Sequence, residues 1–232
     1  NLAMPTMDSD PRHFVRAGDR AWFCTTDLWG ARTWWSTSGA EGDLVPVVSD
    51  LWYPGIAALG GLALLRGSLG LQVSDGTQPG ATLLLPEFRG PITAAQTFAM
   101  VAESEDLGRI AITDGTGAGT RIVPGLTAGF PFASLGDRIL FWGFDQGTGI
   151  EPWIGENGGG TTRRLADIRP GPQGQVTCLI ERANAASADT LVFFAADDGI
   201  HGIEPWCSDG TSQGTRMVAD IRPGPASSSP GR

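Results

Sequence analysis

Residues 202–224 read GIEPWCSDGTSQGTRMVADIRPG, and residues 149–171 read GIEPWIGENGGGTTRRLADIRPG. One chain therefore writes the same sentence twice, 53 positions apart. The core of the sentence recurs upstream. Asp75, Gly76 and Thr77 carry it in QVSDGTQPGATLLL, and Asp114, Gly115 and Thr116 in AITDGTGAGTRIV, where Gly119 and Thr120 are also in register. A first, worn copy, TWWSTSGAEGDLVPV, keeps Trp34, Ser36 and Gly42 but has lost the aspartate. The position of Asp209 is then filled by Thr37, Asp75, Asp114 and Glu156 in the earlier copies, at gaps of 38, 39, 42 and 53 residues. Five copies at roughly 44-residue spacing place the chain among repeat architectures.

The motif has a local physical meaning. Asp-Gly supplies the positive φ angles of tight hairpins between twisted strands, so Asp209, Gly210 and Thr211 are expected to form a turn. The aspartate accepts backbone N–H bonds, and the threonine re-enters a strand. Around the turn, each unit reads as four short strands. In the last copy these are QVTCLIER, TLVFFAA, IEPWCSD and TRMVADI, rich in β-branched and aromatic residues and bounded by Gly, Asp and Pro. No helical stripe of useful length interrupts them. A second recurrence, GDRAWFCTTD, GDRILFWGFD and ADTLVFFAADD, sets an aromatic pair before the motif: Trp22 and Phe23, Phe141 and Trp142, Phe193 and Phe194. Four antiparallel strands repeated at this period predict an all-β fold, a five-bladed β-propeller of four-stranded antiparallel blades closed into one ring. One domain, 1–232, is expected, with blades near 12–50, 54–87, 92–124, 131–168 and 175–221. Trp153 and Trp206 are expected to be buried packing residues at equivalent blade positions.

The segments around Glu151–Pro172 and Glu204–Pro230 resemble the ELWxxDGT repeat, sometimes grouped with hyalin-like repeats, of secreted bacterial proteins. This chain departs from that pattern in carrying Pro152 and Pro205 where the repeat has leucine. The resemblance implies an extracytoplasmic or cell-surface bacterial protein. It brings no catalytic residue with it.

Composition narrows the function. A net charge of −9 argues against nucleic acid, which requires a basic face. All 16 basic residues are arginine. The most apolar run, GIAALGGLALLRG, falls short of the ~20 residues of a membrane span. Cys24, Cys178 and Cys207 have no metal-ligand spacing. They read as small buried thiols, with a Cys178–Cys207 disulfide as the alternative in an exported protein.

Catalysis finds little to work with. His13 and His201 lie in different repeats, and neither sits in a hydrolase or zinc motif. The expected inner strands, RHFVRAG, GIAALGG, TAAQTFA, FPFASLG and QVTCLIERA, offer Glu181 as their one carboxylate, where a glycosidase needs a pair. The Asp-Gly-Thr turns lack the alternating carboxylates of a calcium loop. Asp145, Asp197 and Asp198, in the loops FDQGTG and ADDGIHG, are better placed for a cation, but turn-capping is the favoured reading. No cofactor and no metal is expected.

What remains is a non-catalytic module that docks a protein partner, with a lectin-like carbohydrate binder as the alternative. Unequal loops favour one asymmetric protein partner over repeated sugar sites. Trp29, Trp52, Tyr53 and Phe130 sit in aromatic connections and are the candidate contact anchors, because Trp and Tyr dominate interface hot spots. The competing reading makes the same four residues plugs at the ends of the ring.

Overall fold

In the computed structural model, residues 10–50, 55–105, 108–172 and 185–230 are described. They form five four-stranded antiparallel sheets, and no helix occurs among them. The first sheet comprises β1 (Arg12–Ala17), β2 (Arg20–Thr26), β3 (Arg32–Thr37) and β4 (Val45–Asp50). The second holds β5 (Gly55–Leu59), β6 (Leu62–Gly67), β7 (Gly70–Ser74) and β8 (Thr82–Pro86). The third holds β9 (Ile92–Ala94), β10 (Ala99–Ala102), β11 (Ile110–Thr113) and β12 (Arg121–Ile122). The fourth holds β13 (Ala128–Ser134), β14 (Ile139–Asp145), β15 (Gly149–Glu156) and β16 (Thr161–Arg164). The fifth holds β17 (Ala186–Ala188), β18 (Leu191–Asp197), β19 (Ile203–Ser208) and β20 (Arg216–Met217). Within each sheet the strands follow sequence order. Innermost strands meet from sheet to sheet, β1 with β5, β5 with β9, β9 with β13 and β13 with β17. This is the β-propeller arrangement, and each sheet is a blade.

Two strand expectations are corrected. The third inner strand stops at Ala94, because Ala95 N–H closes a tight turn on the Phe98 carbonyl at 2.8 Å and Ala99 already belongs to β10. The last outer strand pairs only at Arg216 and Met217. The expected inner strand over 175–183, with Cys178 and Glu181, lies outside the described residues. Cys24 and Cys207 are buried free thiols.

Period-two alternation turns each aromatic pair to opposite sides of its blade. Phe141 is fully buried against the third blade with Phe98, Met100, Ile110 and Ile112, whereas its neighbour Trp142 packs toward the fifth with Phe194. Blades are thus glued face to face by four apolar cores. The first to second core is built on Trp22, Trp34, Ala63 and Leu65, and the second to third on Leu64, Leu71, Ala99 and Ala111. The fourth to fifth core sets Phe132, Trp142 and Phe194 ring against ring, with centroids 5.1–5.7 Å apart. Among the described residues no such core joins the fifth blade to the first, which a closed ring would require.

The repeated turn explains how successive blades register. Asp209 Oδ1 accepts the Thr211 N–H at 2.8 Å and the Thr211 hydroxyl at 2.6 Å, and Asp75 and Asp114 do the same with Thr77 and Thr116. The glycine between them adopts φ of +75° at Gly76, +91° at Gly115 and +85° at Gly210. Each of these glycines presses on the preceding blade: Gly76 on Trp22 and Ser36, Gly115 on Leu62, and Gly210 on Arg138 and Ile154. A bare backbone is therefore needed twice over, for its φ and for the closeness of its neighbour.

In the first copy the alignment read from sequence slips by one residue. Gly39 N–H bonds the Thr37 hydroxyl as Gly210 N–H bonds that of Ser208, so Thr37 matches Ser208. Trp35 pairs with Phe23 as Trp153 pairs with Phe141 and Trp206 with Phe194. Trp35, not Trp34, is thus the motif tryptophan. Trp34 points the other way, into the core shared with the second blade. With no aspartate to anchor the register, a one-residue shift exchanges the two faces of a strand. Asp43 supplies the missing carboxylate from further along, bonding the Thr37 hydroxyl and the Ser38 N–H.

Candidate functional site

Antiparallel strands in sequence order sort the connections by face. The first-to-second strand turns and the Asp-Gly-Thr turns leave on one side of the blades. The second-to-third strand hairpins and the crossings between blades leave on the other. Contacts between neighbouring blades confirm a common orientation. Gly18 N–H bonds the Gly60 carbonyl at 3.1 Å, and Thr97 bonds Asp137, on the first side. On the second side Arg66 reaches the Arg89 carbonyl and Glu105, and Arg169 reaches Asp197 at 3.1 Å.

The second side carries exposed apolar tips. Leu28 and Trp29 crown the β2–β3 hairpin, with Trp29 89% exposed. Leu69 tops the β6–β7 turn, Ile200 the β18–β19 loop, and Ile221 the segment after β20, each more than 60% exposed. The turns of Trp29 and Ile200 are fixed by acidic side chains. Asp27 Oδ1 accepts the N–H groups of Trp29 and Ala31, both at 2.8 Å. Asp198 Oδ1 accepts those of Ile200 and His201, and its other oxygen lies 2.7 Å from His201 Nδ1, which holds the imidazole above its usual pKa. Asp145 binds Gly147 and Thr148, and Asp197 binds Gly199. The Thr148 hydroxyl keeps the Asp145 carboxyl below the ordinary range. Thus the three acids considered for a cation all hold hairpin backbone. Among the described residues no cluster of three metal-ligating side chains occurs.

The repeated glutamates escaped the sequence reading. Glu151 and Glu204 are fully buried on the third strands of their blades. Glu151 accepts the N–H groups of Ile168 and Arg169 at 2.7 and 3.1 Å, and Glu204 accepts those of Ile221 and Ser228 at 3.1 and 3.0 Å. Each glutamate clasps the Asp-Ile-Arg-Pro segment that leaves its own blade. The two differ in charge balance. Burial pushes Glu151 up to about 7, against its two N–H bonds. Burial also opposes ionisation of Glu204, but the Ser228 hydroxyl at 2.6 Å and the N–H bonds outweigh it and hold that carboxyl below its ordinary value. The signal lay in the repeat itself: glutamate beside Pro-Trp, always 17 residues before the isoleucine of the exit segment.

The four anchor candidates separate. Trp29 is exposed, as a contact residue requires. Phe130 is 7% exposed and packs in the core between the fourth and fifth blades, so it is not a surface anchor. It alternates inward because β13 is buried along its middle. Trp52 and Tyr53 lie outside the described residues. Trp153 and Trp206 do occupy equivalent positions but are half-buried, with both indole Nε1 atoms inside and without a hydrogen-bond partner. A groove of about 510 Å³ beside the second Asp-Gly-Thr turn is lined by Leu62, Asp75, Gln78, Pro79 and Thr82 and holds no aromatic ring for sugar stacking.

Among known proteins, no family model matches the chain and no curated protein matches it. Solved structures do. A computationally designed propeller, Ika8, superposes with a TM-score of 0.56 at 13% identity over 94% of this chain and 64% of its own. A puromycin hydrolase S511A mutant gives 0.49 at 15% identity over 86% of this chain and 34% of its own. The propeller domain of the Trilobed protease from Pyrococcus furiosus gives 0.47 at 13% identity, covering 90% of this chain and 71% of its own. At these identities the likeness is one of fold. This chain spans less than two thirds of the first two proteins. Among the described residues no helix is long and apolar enough to cross a membrane.

Proposed function

We propose that this propeller is a non-catalytic docking module that engages a protein partner through its apolar loop face. The observation that carries the reading is Trp29, 89% exposed and held out by Asp27, on the same face as Leu28, Leu69 and Ile200. An exposed indole on a fixed turn loses little conformational entropy on contact and offers a large area to bury. A lectin-like role has less support: the indole N–H groups of Trp153 and Trp206 are turned inward, and the groove lacks a stacking ring. The resemblance to ELWxxDGT repeats supports reading the module as one that works outside the cytoplasm, at a bacterial surface. The test is crosslinking in the native source, comparing wild type with Trp29→Ala and Ile200→Ser. Both variants should keep the wild-type melting temperature and lose the crosslinked partner. An unchanged crosslinking pattern in both would refute the loop-face reading.

A further inference from the structure

The arginines of the outer strands keep a fixed place in the repeat. Arg121 pairs with Ile112, Arg163 with Ile154 and Arg216 with Cys207, each partner lying two residues before the turn acid of its blade, Asp114, Glu156 or Asp209. Two of these side chains span a junction. Arg163 is held by Glu156 at 3.2 and 3.3 Å, and its Nη2 donates to the Gly210 carbonyl of the next blade at 2.7 Å. Arg121 donates likewise to the Gly159 carbonyl at 3.3 Å, and Gly159 presses on Ile112 as Gly210 presses on Ile154. The first junction reaches the same end by another route. Arg20 is ion-paired to Asp43 and donates to Ser36 Oγ, which in turn donates to the Gly76 carbonyl at 2.6 Å. The second-to-third junction breaks the rule. Thr82 pairs with Val73, two residues before Asp75, and so stands at the arginine position. Among the described residues no side chain donates to the Gly115 carbonyl, although Gly115 is buried against Leu62. The groove of about 510 Å³ opens at this point, lined by Gly115 of the third blade and by Leu62, Val73, Asp75, Pro79 and Thr82 of the second.

We propose that this groove binds a guanidinium group from outside the chain, carried on an aliphatic stem as in free arginine or an arginine side chain of a peptide. The group takes the place that Arg163 fills two junctions further on: it pairs with the Asp75 carboxylate and donates to the Gly115 carbonyl, with its stem against Leu62, Val73 and Pro79. The N–H and hydroxyl of Thr77 hold the Asp75 carboxyl below its ordinary value, so it is charged at neutral pH. A guanidinium suits the groove better than an ammonium, because its planar fork pairs with a carboxylate and still donates to a carbonyl, as Arg163 does. The groove lies on the side of the Asp-Gly-Thr turns, opposite Trp29, so this site does not depend on the loop-face reading.

The test is an NMR titration of the isotope-labelled chain with N-acetylarginine methylamide, and in parallel with free arginine and with N-acetyllysine methylamide. A bond to the Gly115 carbonyl is read at the Thr116 amide, the other half of the same peptide group. The blocked arginine should shift that amide saturably, and the lysine compound should bind about tenfold more weakly. Asp75→Asn keeps a side-chain oxygen for the Thr77 turn but removes the charge, and should weaken binding about tenfold. Thr82→Arg, at an exposed position, supplies the missing side chain from within; it should abolish binding and raise the melting temperature. Should Asp75→Asn fail to fold, Thr82→Arg still decides. Free arginine binding as tightly as the blocked form supports a small-molecule ligand, and tighter binding of the blocked form supports a peptide side chain. The proposal is overturned if Thr116 shows no saturable shift, if lysine binds as well as arginine, or if Thr82→Arg binds like wild type.

Discussion

Adding one methyl group at Gly76 separates the two demands that the repeated turn makes on its glycine. Gly76 has φ of +75°, and a Cβ there would lie 2.5 Å from Ser36 Oγ and 2.6 Å from the Trp22 ring. Both neighbours are 0% exposed, and Ser36 is further fixed by its hydroxyl donating to the Gly76 carbonyl at 2.6 Å. Left-handed backbone costs an L-residue about 1–2 kcal/mol, and overpacking a rigid core about 1–3 kcal/mol more. Gly76→Ala should therefore cost about 4 kcal/mol, or roughly 8–16 °C in melting temperature for a chain of this size. Gly224 is the control: its φ is +95° but nothing lies within 4 Å of its missing Cβ. Gly224→Ala should show the backbone part alone, about 1.5 kcal/mol. Gly210→Ala should fall between, because the atom it meets first, Arg138 Nη1 at 2.4 Å, is the end of a side chain that can swing aside. The assay is thermal unfolding followed by tryptophan fluorescence. Equal losses at Gly76 and Gly224 would show that the turn does not press on the preceding blade.

Other outcomes test other parts. Thr211→Ser keeps the hydroxyl that bonds Asp209 and Gly214 N–H, so it should stay within about 0.5 kcal/mol of wild type, while Gly210→Val should be far worse. Trp153→Ala and Trp206→Ala should each cost about 2–3 kcal/mol, below the figure for a fully buried tryptophan because both rings are half-exposed. Glu151, raised from 4.5 to about 7, holds its proton more tightly folded than unfolded, so it should make stability decline as pH rises through that window. In Glu151→Gln that slope should vanish in denaturant titrations between pH 5 and 7, and its persistence would exclude Glu151 as the source. Glu204, held below its ordinary value, acts with the opposite sign: its contribution is present above the ordinary carboxylate range and is lost as pH falls through the lower folded value.

The blades are legible in the sequence because their boundaries are made of local chemistry. Asp-Gly-Thr, read at Asp75, Asp114 and Asp209, has one cheap conformation, and the strands around it alternate with period two. Where the local anchor was lost, legibility went with it. Without an aspartate at the first turn, Trp34 and Trp35 cannot be told apart, since each suits one side of the same strand. Phe130 looked like a loop aromatic because burial on β13 comes from the neighbouring blades, not from its own sequence context. Glu151 and Glu204 passed as ordinary strand residues because their partners, the N–H groups of Ile168 and Ile221, lie 17 positions away and carry no side-chain signature. Of the candidate site, the exposed Trp29 was visible in the sequence, whereas the common face it shares with Leu69 and Ile200 follows only from strand order.

The four apolar cores each join only adjacent blades, and the two glutamates bind only within their own, so the energy of this molecule is nearly one-dimensional. A linear array coupled through nearest neighbours does not have to melt in a single step. Weakening a terminal core would fray one blade, while weakening the core between the second and third blades would split the chain into a pair and a triplet that unfold separately. The same arithmetic governs its history. A unit that satisfies its own turns and its own exit segment, and asks its neighbour only for an apolar face, can be duplicated or lost without redesigning the rest. Copies spaced at 38, 39, 42 and 53 residues, with the last two sharing their Gly-Ile-Glu-Pro-Trp and Ala-Asp-Ile-Arg-Pro-Gly ends, are what such a chain would accumulate.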